Sequence, residues 1–136
     1  MLKNWIVRIN FLIALAGVTG SLFFSEVLRL PPCSLCWFQR ILLYPLLILY
    51  GVALWSEDAG YQKYVLPFLI LGLAIASYHN LLYYGFIPES LTPCSAELSC
   101  ASKQLEVLGF VTIPLLSFIA FLSLLALEFK IRNYKK

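Results

Sequence analysis

Cys36-Trp37-Phe38-Gln39-Arg40-Ile41-Leu42-Leu43-Tyr44-Pro45-Leu46-Leu47-Ile48-Leu49-Tyr50-Gly51-Val52-Ala53-Leu54-Trp55 contains one charged side chain, Arg40, close to its beginning. A helix of about 20 apolar residues crosses a hydrocarbon layer of ~30 Å. Apolar side chains lie all round this helix, so no face is wet enough for the surface of a soluble protein. Three further stretches read the same way: about Ile9 to Leu28, about Tyr64 to Tyr83, and about Leu108 to Leu127. With the stretch quoted, these make four spans and predict an all-α integral membrane four-helix bundle, a single domain over residues 1–136. Composition agrees. The chain is 61% hydrophobic and 12% charged, against roughly 45–50% and about 25% in soluble domains. No basic stripe marks a nucleic-acid surface, so that class is set aside.

Gly17, Gly20, Gly51 and Gly72 are small enough to let helices approach closely. Pro45, Pro67 and Pro114 are tolerated where neighbouring helices satisfy the freed carbonyls. A secretory signal is the alternative for the first span, with Lys3 and Arg8 before it and Ala14-Leu15-Ala16 as a cleavage pattern. Against it, the apolar run continues through Leu22, Phe23 and Phe24.

Positive charge sets orientation. Lys3, Arg8, Lys63, Lys130, Arg132, Lys135 and Lys136 fall on one side of four spans, and only Arg29, Arg40 and Lys103 on the other. Both termini are therefore expected in the cytoplasm. A short loop around Glu26–Cys33 and a longer one from Gly85 to about Val107 are expected outside.

That topology uses no cysteine, yet it places Cys33, Cys36, Cys94 and Cys100 together on the outer side, where disulfides persist. Cys33 and Cys36 have the two-residue spacing of redox-active dithiols. Pro31-Pro32 keeps the preceding backbone extended, so Cys36 falls in the first turn of the second span. The helix dipole and unpaired N–H groups there favour a thiolate. Arg40, four residues on, lies one turn deeper on the same face. It stands to stabilise that thiolate or an anionic acceptor, or simply to anchor the helix end. His79, the sole histidine, lies near the outer end of the third span. It is either a functional ionisable group or a hydrogen-bonding link to a neighbouring helix. Asn10 reads as glue between helices. Trp5, Trp37, Trp55, Tyr61, Tyr64, Tyr83 and Tyr84 fit interfacial belts.

The second cysteine pair sits in the long loop. Pro88 and Pro93 precede Cys94 and favour an extended segment. Leu98, Ala101, Leu105 and Leu108 recur at helical spacing among Glu97, Ser99, Lys103 and Glu106, which predicts a short amphipathic helix on the membrane surface. Two cysteine pairs on one side suggest a relay, since thiol–disulfide exchange moves electrons in pairs. No residue series points to haem or flavin, so a diffusible quinone is the economical acceptor. Structural zinc is disfavoured by the width of the second spacing. Two purely structural disulfides remain a competing reading, although a C-x-x-C ring constrains the unfolded chain little.

Cys33-Ser34-Leu35-Cys36-Trp37-Phe38-Gln39-Arg40, opening the second of four spans and followed by an outer-loop cysteine pair, resembles the DsbB family of disulfide bond formation proteins. The short loop pair and small size are most similar to its BdbC branch. The resemblance implies a thiol:quinone oxidoreductase of the bacterial cell membrane, catalytic through Cys33, Cys36, Cys94 and Cys100. It implies that Cys94 is attacked by a thioredoxin-like extracytoplasmic oxidase of the DsbA/BdbD type, with Cys100 as its partner. Cys33 then exchanges with the loop pair. Cys36 faces a quinone, expected to be menaquinone, with Arg40 and His79 as its binding residues and no metal. Only five residues separate Cys94 from Cys100, which opens direct exchange between two intact pairs as the alternative to an inter-loop disulfide. The competing functions are a quinone-linked reductase of the vitamin K epoxide reductase type and a non-enzymatic adaptor stapled by two disulfides.

Overall fold

The computed structural model describes residues 2–27, 29, 34–57, 60–86, 106–107 and 111–136. Four helices carry the fold: α1 (Leu2–Leu22), α2 (Ser34–Ser56), α3 (Gln62–Tyr83) and α4 (Ile113–Lys135). Each contains a stretch long and apolar enough to cross a membrane. They pack in a ring, α1 on α2, α2 on α3, α3 on α4 and α4 on α1. This is the expected bundle.

The helix ends follow local chemistry. No Gly or Pro interrupts the chain between Leu2 and Ile9, so α1 starts well before the apolar run expected from Ile9. Its far end widens into a π-helical turn, Phe23–Val27. At the end of α3, Gly85 takes φ +83°. The Phe86 N–H then donates to Leu81 O at 2.9 Å and the Gly85 N–H to Leu82 O at 3.2 Å. These two bonds form a Schellman cap, which requires a left-handed residue at that position. The fourth helix begins at Ile113, later than the Leu108 expected. Pro114 stands in its first turn, where a missing N–H costs nothing. Before it, Glu106–Val107 (β1) and Val111–Thr112 (β2) form a minimal antiparallel pair, Glu106 opposite Thr112 and Val107 opposite Val111. The β-branched residues at three of these positions suit extended backbone. The amphipathic helix expected from Leu98 to Leu108 therefore does not reach Glu106–Val107. Its earlier part lies outside the described residues.

The buried faces repeat at bundle spacing. Val65, Leu69, Gly72, Ala76, His79 and Leu82 line the inside of α3, and Phe121, Leu124, Glu128 and Ile131 that of α4. Lipid is as apolar as a leucine side chain, so close packing and polar links hold such helices together. At Gly72 a Cβ would lie only 2.6 Å from Phe121 Cδ1 and 2.7 Å from Phe121 Cζ. The phenyl ring uses the space that glycine leaves.

The chief polar link surrounds Glu128, which is fully buried. Asn10 of α1 donates through Nδ2 to Glu128 Oε1 at 2.7 Å. Gln62 of α3 donates through Nε2 to Oε2 at 2.9 Å. Tyr61 donates through its hydroxyl, 3.1 Å from Oε2. Burial, and then the neighbouring carboxylate, raise the Tyr61 phenol above its usual range, so it remains a neutral donor. Tyr50 of α2 packs edge-on to Tyr61, ring centroids 6.2 Å apart. Asn10 thus joins helices as expected. Tyr61 does not sit in an interfacial belt: Glu128 draws it inward, to 3% exposure.

Gly72→Ala is expected to lower stability by about 1–3 kcal/mol, the usual cost of overpacking. Adding Phe121→Leu should recover part of that loss, measured by thermal unfolding in detergent. Glu128→Leu leaves Asn10 and Tyr61 as buried donors without this acceptor and should cost about 2 kcal/mol or more. Glu128→Gln keeps an acceptor oxygen and should cost less in the same assay.

Candidate functional site

At the opposite end of the bundle from Glu128, the first two turns of α2 present Cys36, Gln39 and Arg40. Residues three and four apart share a helix face, and here that face spans two seams. Gln39 turns toward α3, and Arg40 toward α1. Cys36 lies in the first turn of α2, as expected, half-buried against Leu35 and Leu82. Leu82 lies three residues beyond His79 on α3, so Cys36 borders the seam that holds the histidine.

Arg40 is held by the backbone of α1. Its Nη2 donates to Ser21 O at 2.8 Å. Ser25 Oγ donates to the same carbonyl at 3.2 Å. Ser21 immediately precedes Leu22 and the π-helical turn. Widened turns of this kind loosen the regular carbonyl pattern and are frequent at functional sites. The guanidinium also lies over the Trp37 ring, 5.4 Å from its centroid. Its Nε is buried and has no hydrogen-bond partner among the described residues. A fixed cation with an unused N–H has the chemistry to donate to an oxygen acceptor. Trp37, Phe38 and Ile41 are exposed on the lipid-facing side of the same helix. An exposed apolar surface therefore lies beside Arg40 on α2.

His79 is buried, at 2% exposure. Its Nδ1 lies 3.3 Å from Gln39 Nε2 across the α2–α3 seam. The next residue, Asn80, donates through Nδ2 to Ala76 O at 2.8 Å and to Pro114 O at 2.9 Å, tying α3 to the first turn of α4. Asn80 Oδ1 is buried without a partner among the described residues. The structure therefore brings Cys36, Arg40 and His79 to one end of the bundle. Cys33, Cys94 and Cys100 lie outside the described residues.

Gln39 and Asn80 are weaker candidates than His79 in the sequence, and Ser21 and Glu128 do not stand out there. Ser21 acts through its carbonyl, which no side-chain pattern can reveal. Glu128 carries a signal, an acidic residue directly after an apolar run, but Lys130 and Arg132 follow it closely, as at an ordinary solvated helix end.

Four helices able to cross a membrane, with a cysteine in the first turn of α2 and an arginine one turn beneath it, define a multi-pass membrane protein with a thiol at one end of the bundle. The sequence profile described as "Disulfide bond formation protein DsbB" matches residues 3–130. Among similar proteins, "Disulfide bond formation protein C" of Bacillus subtilis (strain 168) is 41% identical over 125 residues, 89% of each chain. "Probable disulfide formation protein C 2" of Bacillus cereus is 37% identical, over 93% of this chain and 90% of its own. A "Probable disulfide formation protein" of Deinococcus radiodurans is 41% identical, over 86% of this chain and 82% of its own. No solved structure matches the chain. The chain belongs to the DsbB family and is a membrane protein of disulfide bond formation.

Arg40→Met removes the bond that holds Ser21 O. Backbone amides of Phe23–Val27 should then exchange with deuterium about fivefold faster or more, the equivalent of roughly one hydrogen bond. Unchanged exchange there would mean that the arginine does not secure the π turn.

Proposed function

We propose that the protein is a thiol:quinone oxidoreductase that reoxidises a thioredoxin-like extracytoplasmic disulfide oxidase of the DsbA/BdbD type. The observation that carries this reading is Arg40: a guanidinium fixed on Ser21 O, one turn beneath Cys36, with an unused Nε–H beside a lipid-facing aromatic surface. Family membership supplies the rest of the case. The net reaction converts partner dithiol and quinone to partner disulfide and quinol. The quinone, proposed to be menaquinone, supplies a two-electron acceptor that is soluble in the membrane.

The chain's own groups divide the work. Cys94 takes the attack of the partner's thiolate and forms the mixed disulfide, and the partner's second thiol resolves it. Cys94 and Cys100 are left reduced, and Cys33 exchanges with them. Cys36 emerges as the thiolate at the helix N-terminus, stabilised by the helix dipole. Arg40 would hold the acceptor oxygen and would supply a fixed positive charge beside it. His79 lies along the adjoining seam as the second polar contact. The distribution of lysine and arginine supports cytoplasmic termini and an outer site in a bacterial cell membrane.

The test uses the full chain in lipid with menaquinone and a reduced thioredoxin-like oxidase, with quinone reduction followed by absorbance. Cys36→Ala should abolish turnover; full activity would defeat the proposal. Arg40→Ala should slow quinone reduction about 100-fold, as loss of one oxyanion donor does, while single-turnover oxidation of the partner stays within about twofold. Equal loss in both steps would make Arg40 purely structural.

A further inference from the structure

Asn10 of α1, Tyr50 of α2 and Glu128 of α4 are each fully closed to solvent, at 0% exposure. The Glu128 carboxylate accepts from Asn10 Nδ2, the Tyr61 hydroxyl and Gln62 Nε2. All three donors are neutral, and Glu128 makes no ion pair among the described residues. Lys3 Nζ lies over the Tyr61 ring, 6.0 Å from its centroid. A carboxylate has about four lone-pair sites, so three donors leave one unused. Two further oxygens in the same place, Asn10 Oδ1 and Tyr50 Oη, are buried without a hydrogen-bond partner among the described residues. The first belongs to the amide that holds Glu128, and the second neighbours both Glu128 and Asn10.

We propose that Glu128, Asn10 and Tyr50 form a binding site for a small alkali-metal cation, Na+ or K+, which joins α1, α2 and α4 at the end of the bundle opposite Arg40. A charge within a membrane span is costly until something compensates it. A water molecule would satisfy Asn10 Oδ1 and Tyr50 Oη but leave the charge. A proton would cancel the charge but leave those two oxygens unpaired. Among the three groups bonded to the carboxylate, only the Tyr61 hydroxyl could accept that proton. A cation answers both needs at once. Carboxylate, amide and phenol oxygens are hard ligands of the kind that hard cations take. A single carboxylate matches a single positive charge. Gln62, only part-buried, stands at the rim and gives the site an edge toward the helix end.

The test is thermal unfolding of the full protein in detergent, at fixed pH and ionic strength, in NaCl, KCl or choline chloride. Choline is too large to enter the cluster. One of the alkali chlorides should raise Tm over choline chloride by about 3 °C or more, and the rise should saturate with concentration as for one site. Glu128→Gln keeps the size and an acceptor oxygen but removes the charge, and should abolish the difference between salts. If Glu128→Gln does not fold, Tyr50→Phe serves. It removes one ligand oxygen and should raise the cation concentration for half the shift about fivefold or more, the equivalent of one polar contact. Equal Tm values in the three salts overturn the site. So does a salt difference that persists in Glu128→Gln, or one that Tyr50→Phe leaves unchanged. A Tm that follows pH and ignores the cation assigns the compensation to a proton. A Tm that ignores the cation and falls with Lys3→Met assigns it to Lys3. Either result overturns the cation site, and none of these measurements depends on quinone turnover.

Discussion

The hydrocarbon interior of a membrane has no water to satisfy a polar group, and most of this structure is an answer to that condition. Backbone N–H and C=O groups are consumed within four long helices. Buried side chains that carry polar atoms must find one another across helices. They do so at the two ends of the bundle, leaving the middle to apolar packing such as the Phe121 ring against Gly72. At one end, a single carboxylate gathers donors from α1, from α3 and from the turn before α3. Removing an acceptor from such a cluster costs more than its bonds contribute, because each donor left behind remains desolvated. Glu128 therefore sets the relative placement of three segments from one point.

The other end uses the same kind of contact for a different purpose. Arg40, Gln39 and Asn80 each bridge two helices, and each borders the place where electrons are proposed to leave the protein. The hydrogen bonds that hold α2 against α1 and α3 also aim a guanidinium and an imidazole. A site built in this way needs no loop to shape it, and its precision follows from the rigidity of helices. The backbone carbonyl that Arg40 holds belongs to Ser21, in the last turn of α1 just before the π-helical turn.

Much of this was legible in the residues. The four apolar runs and the cysteine spacing identified a membrane bundle with a C-x-x-C at the start of α2, and the motif through Arg40 pointed to the family that the comparisons show. The helix limits were less legible. Hydropathy measures the thickness of the hydrocarbon layer, whereas a helix continues until something stops it, as α1 does from Leu2. Extended backbone at Glu106–Val107 overrode a helical periodicity there, with β-branched residues at Val107, Val111 and Thr112 favouring the strand pair. Tyr61 was misplaced because an interfacial tyrosine and a tyrosine drawn in by a buried carboxylate look alike in one dimension.

The sequence by itself determined the solvent of this protein, the number of its spans and the position of a cysteine and an arginine one turn apart. These are local properties: hydropathy over a window, and the 3.6-residue period of one helix. Only the tertiary structure decided which polar groups meet. Asn10 and Glu128 lie 118 positions apart, and Gln39 and His79 lie 40 apart. No local pattern links such residues. They are joined because, in a medium without water, a buried donor is stable only opposite an acceptor, and the packing of the four helices settles which acceptor that is.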